Sequence, residues 1–159
     1  PVLLYRPIKM QAVDQLLKEK RSQLGSSLAP STKEGIIRVI KTVRSGGVAG
    51  IAADPVPSLS NGLFVPFFGV QTLTGKFVPS LVQGHKAEAV FIHALRLDDG
   101  SGYRVVIDAA PEALYGDDVE AAVTAINQGI EKQVQQAPSQ YMWNMKRFKK
   151  RPEGETKWY

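Results

Sequence analysis

Short apolar runs with strand character alternate with segments of helical spacing along this chain, and that alternation most constrains its fold. Val2-Leu-Leu-Tyr5 reads as a buried strand, and Ile8 to Leu24 follows as an amphipathic helix on Val13, Leu16, Leu17 and Leu24. Gly25 to Pro30 reads as a loop. Ser31-Thr-Lys-Glu34 has capping-box spacing, and Ile36, Ile37, Val39, Ile40 and Val43 give the next helix its apolar face, up to Gly46-Gly47. Val48 to Ala53 predicts a small buried strand ending at Asp54, before a Pro- and Ser-rich loop to Gly62. Thr72 to Gly84 reads as a weak helix, opposed by Gly75 and Pro79. Ala87 to Leu95 and Tyr103 to Ile107 pair as a hairpin through Asp98-Asp-Gly-Ser-Gly102. Asp117 to Gln136 is a helix, and Ser139 to Lys149 is expected to form another. The pattern predicts an α/β fold, a mixed sheet flanked by helices, as a single domain over residues 1–159.

Between the second predicted strand and the weak helix lies Asn61-Gly-Leu-Phe-Val-Pro-Phe-Phe-Gly-Val70, which holds three of the six phenylalanines. Gly62, Pro66 and Gly69 oppose an ordinary strand or helix, because proline lacks a backbone donor and glycine admits angles other residues avoid. Apolar side chains on a turning backbone can line a groove for a greasy ligand or plug the core as a short strand.

At 159 residues the chain can bury roughly 70% of its unfolded surface in one domain. Without cysteine it has no disulfide framework, thiolate nucleophile or zinc ribbon. No run approaches the ~18 apolar residues of a membrane span. The chain opens at Pro1 directly into a strand, and a domain seldom begins inside its own sheet, so we expect a C-terminal portion of something longer.

The net charge of +5 is local. Of 20 basic residues, Lys146, Arg147, Lys149, Lys150 and Arg151 crowd into one run, and the remainder match the 15 acidic residues one for one. Tyr141, Trp143 and Phe148 lie beside them. Such a run suits an anionic lipid headgroup or an acidic protein, and the plainer alternative is a solvated helix end whose cations complement the helix dipole. Nucleic acid is not expected, since the charge is balanced elsewhere and no nucleic-acid motif occurs.

Four segments in order carry a resemblance: Leu4-Tyr-Arg-Pro7, Gly50-Ile-Ala-Ala-Asp-Pro-Val-Pro57, Asn61 to Gly69, and Ser139-Gln-Tyr-Met-Trp-Asn-Met-Lys-Arg-Phe-Lys-Lys-Arg-Pro-Glu-Gly154. Together they resemble the late acyltransferases of lipid A biosynthesis in Gram-negative bacteria, within the wider lysophospholipid acyltransferase group. That pattern has a Tyr-Arg-Pro, an Asp-Gln-x-Pro loop, a Phe-Val-Pro-Phe-Phe-Gly block, and a Gln-Tyr-x-Trp followed by a basic run. This chain departs from it at Pro55, in place of the usual glutamine, and at Met145, where many members have histidine. Gln71 to Pro79 replaces a regular threonine-rich helix start, so that helix is expected to be kinked or shortened.

The resemblance implies transfer of a fatty acyl group from acyl carrier protein to a hydroxyl of a lipid A precursor, at the cytoplasmic face of the inner membrane. It implies no cofactor and no metal. Its catalytic core is a histidine with an acidic residue after four others, expected upstream of Pro1, so no catalytic residue is assigned within this chain. His93-Ala-Leu-Arg-Leu-Asp98 fits that spacing as a decoy: on a strand, positions five apart point to opposite faces, and Asp98 falls in the turn. His93 is expected to be a hydrogen-bonded core histidine, and His85 a surface loop residue. The resemblance assigns Arg6 to an anionic substrate group or the transition state, the alternative being a structural ion pair, for instance with Asp54. Asp54 ends a strand, where α/β sheets usually bind ligands. Phe64, Phe67, Phe68 and Gly69 form a wall near the acyl chain or pack the core. Trp143, Lys146, Arg147, Lys149, Lys150 and Arg151 meet anionic lipid or the carrier protein. The rival reading is a non-catalytic anionic-lipid-binding module. Strand edges left open by truncation would promote self-association.

Overall fold

The computed structural model describes residues 1–23 and 25–159 and divides into two compact units, Pro1–Ala52 and Ala53–Tyr159. The expectation for Leu24 lies outside the described residues.

In the first unit β1 (Val2–Tyr5), β2 (Ser27–Pro30) and β3 (Ala49–Ile51) form a parallel sheet of order β2-β1-β3. The crossovers are α1 (Gln11–Ser22) and α2 (Lys33–Arg44). Ser27–Pro30, expected as loop, is a strand because it pairs with β1 along its whole length, from Val2↔Ser27 to Tyr5↔Pro30. Helix α2 starts one residue later than the capping-box spacing implies: Thr32 is the N-cap and accepts the Gly35 N–H. The Glu34 carboxyl is lowered, first by a bond to its own backbone N–H and then by the Thr32 hydroxyl. Val2, Ala29 and Val39 are buried. The predicted apolar face of α1 is not: Val13 and Leu16 are exposed, and Asp14 is the buried residue of that helix. Asp14 is held below the usual carboxylate range by Lys18, 2.6 Å away, and then by the Ile8 N–H.

The second unit holds two antiparallel hairpins, β4 (Gly62–Phe67) with β5 (Val70–Gly75) and β6 (Val90–Arg96) with β7 (Tyr103–Ala109), and two helices, α3 (Phe77–His85) and α4 (Val119–Gln136). The α/β class therefore holds, with parallel and antiparallel strands in separate small sheets. Thr72–Gly75, expected as the start of a helix, belongs to β5, so α3 is shortened, the second of the two expected outcomes, and Pro79 falls in its first turn, where its missing N–H is no loss. Asp118 caps α4 by accepting the Glu120 and Ala121 N–H groups. The core joins Phe67, Val82, Leu114, Ala122, Ala125, Ile126, Ile130 and Val134, with Phe91, Tyr141 and Phe148 packed against them.

One face of β6–β7 packs inward through Phe91, whose ring lies against Gly129 of α4, where a Cβ would come within 2.3 Å of it. The other face is open: Val90, Ile92, Tyr103, Val105 and Ile107 are each about 60% exposed. No helix among the described residues is long and apolar enough to cross a membrane.

The segment Ser139–Lys149 is not the expected helix. It runs through short 3-10 turns at Pro138–Gln140 and Trp143–Met145, and Lys146 adopts a left-handed conformation. The basic run therefore has no helix end to complement.

Candidate functional site

The Asn61–Val70 stretch forms β4, a two-residue turn at Phe68-Gly69, and the start of β5, closed by the pair Phe67↔Val70. Pro66 is tolerated because its pair with Gln71 is next to the turn-closing pair, where an antiparallel ladder makes no hydrogen bond. Gly62 is required, since a Cβ there would meet the Thr74 carbonyl at 2.7 Å and Pro57 at 2.8 Å. Phe68 (φ +49°) and Gly69 (φ +74°) both have positive φ, as a type I′ turn demands. Asn-Gly is the usual solution, and a bulky residue in the first place costs about 1–2 kcal/mol.

The three phenylalanines separate. Phe67 is fully buried in the core, Phe64 is half-buried, and Phe68 is 39% exposed at the turn tip. For Phe67 the core-packing alternative is therefore the observed one. Its ring starts an aromatic array: Phe68 lies edge-on at 4.8 Å, Tyr141 at 6.2 Å and Phe148 at 5.9 Å. Trp143 extends it, 6.3 Å from Phe68 and 4.8 Å from Tyr141. Trp143 is 45% exposed, between the exposed Met142 and Met145.

The five cations beside this array divide by direction. Arg147 turns inward and is only 2% exposed. It donates to the Leu73 carbonyl at 2.8 Å, the Thr74 hydroxyl at 2.9 Å and the Asn127 side-chain oxygen at 3.0 Å, and stacks over Phe67 at 5.3 Å. Arg151 donates to the Gln71 carbonyl at 2.8 Å, pairs with Glu155 and lies over Trp158 at 4.6 Å. Gln71 and Leu73 are alternate residues whose carbonyls leave the same side of β5, away from β4. Two arginines four residues apart thus cap the open edge of that strand. The expectation that Arg147 and Arg151 face an anionic surface gives way here, because their guanidinium groups are committed to backbone carbonyls. Lys146 and Lys149 remain exposed, and Lys150 is half-buried.

Asp54, half-buried near the start of this unit, acts on the same cluster. Burial raises the Tyr141 phenol and the Asp54 carboxylate raises it further, against the opposing pull of Arg147. Burial lowers Arg147, and Tyr141 and Asp54 oppose that shift. Tyr141, Arg147 and Phe67 therefore form one charged and aromatic group, on which the Asp54 carboxylate acts electrostatically. Tyr141 and Asn127 escaped the site reading from sequence. Asn127 is buried mid-helix, takes the Arg147 and Thr74 donors on its oxygen, and donates to the Pro66 carbonyl at 2.8 Å. A polar residue on an otherwise apolar helix face was the available signal.

Arg6, in the first unit, directly follows the C-terminal end of β1 and is exposed. His93 does lie in β6 and Asp98 in the turn beyond it, so their spacing brings no catalytic pair together. His93 is not hydrogen-bonded as expected: both ring nitrogens are buried without a partner. His85 is the last residue of α3 rather than part of a loop. Among the described residues no group of His, Cys, Asp and Glu could hold a metal ion.

An α/β protein with an exposed arginine at a strand end, a strained aromatic turn and a basic, aromatic C-terminal segment is the class these observations define. The family model described as bacterial lipid A biosynthesis acyltransferase matches residues 2–150, and the chain belongs to that family. It is 31% identical over 158 residues to a lipid A biosynthesis palmitoleoyltransferase of Escherichia coli K12, covering 98% of this chain and 50% of the relative. It is also 31% identical over 157 residues to the lipid A biosynthesis lauroyltransferase of the same organism, covering 95% and 49%. A lipid A biosynthesis acyltransferase of Haemophilus influenzae is 31% identical over 156 residues, covering 96% and 49%. The chain spans about half the length of these curated relatives.

Proposed function

We propose that this chain is the C-terminal part of a lipid A late acyltransferase domain and supplies its substrate-holding side. The observation that carries the reading is the family match over residues 2–150. In the whole protein an acyl group passes from acyl carrier protein to a hydroxyl of a lipid A precursor, at the cytoplasmic face of the inner membrane. A histidine upstream of Pro1, paired with an acidic residue, takes the hydroxyl proton as general base, and the oxygen attacks the thioester carbonyl. Arg6 binds an anionic group of the substrate or the developing oxyanion, for which an exposed guanidinium at a strand end is suited. Asp54 acts with Tyr141 and Arg147, and Phe64, Phe68 and Gly69 border the acyl chain. Lys146, Lys149 and Lys150 face lipid phosphates or the acidic carrier protein, with Trp143 at the interface.

Assay of the whole coding product for acyl transfer to a lipid A precursor, with and without Arg6→Ala, tests the reading. Transfer that collapses in the variant supports it, and an inactive wild-type product sinks it.

A second reading, a non-catalytic anionic-lipid-binding module, draws on the exposed Met142, Trp143 and Met145 beside exposed lysines. It predicts salt-sensitive binding to anionic vesicles with no acyl transfer by the whole product.

A further inference from the structure

Phe68 occupies a backbone conformation that suits glycine or asparagine, yet its ring is not rewarded with full burial. Three contacts nevertheless fix its orientation. The Glu131 carboxylate on α4 accepts the Phe68 N–H at 2.6 Å, a short, charge-assisted bond across 63 residues of sequence. Phe67, locked in the core, meets the ring edge-on. Trp143 lies 6.3 Å from the ring, and its indole N–H is tied to the Pro138 carbonyl at 2.9 Å. Glu131 forms no ion pair among the described residues, and its hydrogen bond to the turn joins α4 to the Phe68 backbone. Strain at a bulky residue persists only where surrounding structure enforces it, and such strain concentrates at ligand contacts.

We propose that Glu131 is a positioning residue. It clamps the Phe68-Gly69 turn so that the Phe68 ring, with Trp143, presents a preorganised apolar platform to the fatty acyl chain and sets the preferred chain length. This rests on the acyltransferase reading above. An acyl chain suits the platform because the exposed surfaces of Phe68, Met142, Trp143 and Met145 are apolar, whereas the lysines of the same segment suit the phosphorylated end of an amphiphile.

The test uses the whole coding product, with carrier-protein thioesters of graded acyl length. It compares wild type with Glu131→Ala, Glu131→Gln and Phe68→Asn in kcat, KM and thermal midpoint. Glu131→Ala and Phe68→Asn are expected to lose about tenfold in kcat/KM for the preferred chain, mainly through KM, and to flatten the length preference. Glu131→Gln keeps an acceptor for the turn N–H and is expected to stay within about threefold of wild type with its length preference intact. Phe68→Asn, relieved of strain, is expected to match or exceed the wild-type midpoint. The inference is overturned if the wild type transfers acyl groups and Phe68→Asn keeps its length preference. A lowered midpoint in Phe68→Asn, or an unaffected Glu131→Ala, overturns it equally. A wild-type product with no transfer at any length instead sinks the acyltransferase reading, and this inference with it.

Discussion

Arg147 and Lys149 are two residues apart and carry the same charge, yet they have opposite consequences. Truncating Arg147 leaves the Leu73 carbonyl without its donor in the interior and takes one partner each from the Thr74 hydroxyl and the Asn127 oxygen, which keep their bond to each other. Arg147→Ala is expected to cost about 3 kcal/mol in denaturant unfolding of the whole protein, whereas Lys149→Ala stays within about 0.5 kcal/mol. Equal effects would contradict the division of the basic run. Sequence revealed how many charges the run holds but not their direction. That is decided by the carbonyls along the open edge of β5, which no local pattern announces. The three phenylalanines show the same limit. Their concentration marked the region, but strand alternation buried Phe67 and the turn exposed Phe68.

At the level of elements, glycine separates packing from propensity. Gly129 is in α4 and Gly84 in α3, and both would gain up to about 1 kcal/mol of helix propensity as alanine. A Cβ at Gly129 would press into the Phe91 ring, and overpacking of that kind costs about 1–3 kcal/mol, so Gly129→Ala is expected to destabilise. Gly84 has open space, so Gly84→Ala is expected to stabilise slightly. Unfolding midpoints that move in the same direction would argue against α4 packing on β6–β7. Most elements were legible where periodicity was strong, as in α2, α4 and the β6–β7 hairpin. Two were not. Ser27–Pro30 has little strand propensity and is extended because β1 supplies its ladder. Ser139–Lys149 has helical spacing but gives up helix so that Tyr141, Arg147 and Phe148 can reach the core.

For the whole molecule, the unburied faces say most. The outer face of β6–β7 exposes two opposed isoleucines, Ile92 and Ile107, and a contiguous apolar surface of this kind favours association. The 159-residue chain by itself is expected to self-associate in sedimentation analysis, and Ile92→Lys with Ile107→Glu to shift it toward monomer. A monodisperse monomer without the substitutions would contradict that. The family was legible because the Tyr-Arg-Pro, Phe-Val-Pro-Phe-Phe-Gly and Gln-Tyr-x-Trp segments survive intact. The Phe67–Asn127–Arg147 group was not, because its members lie far apart in sequence and only the fold gathers them.

Acyl transfer to a lipid A precursor by the whole coding product, measured for wild type and Arg6→Ala at equal folded concentration, tests the central claim most directly. The account predicts transfer by the wild type and a loss on the order of 10²-fold in the variant. Equal transfer by the two would remove Arg6 from the site, and no transfer by the wild type would contradict the assignment of this chain to the substrate-holding side of an acyltransferase.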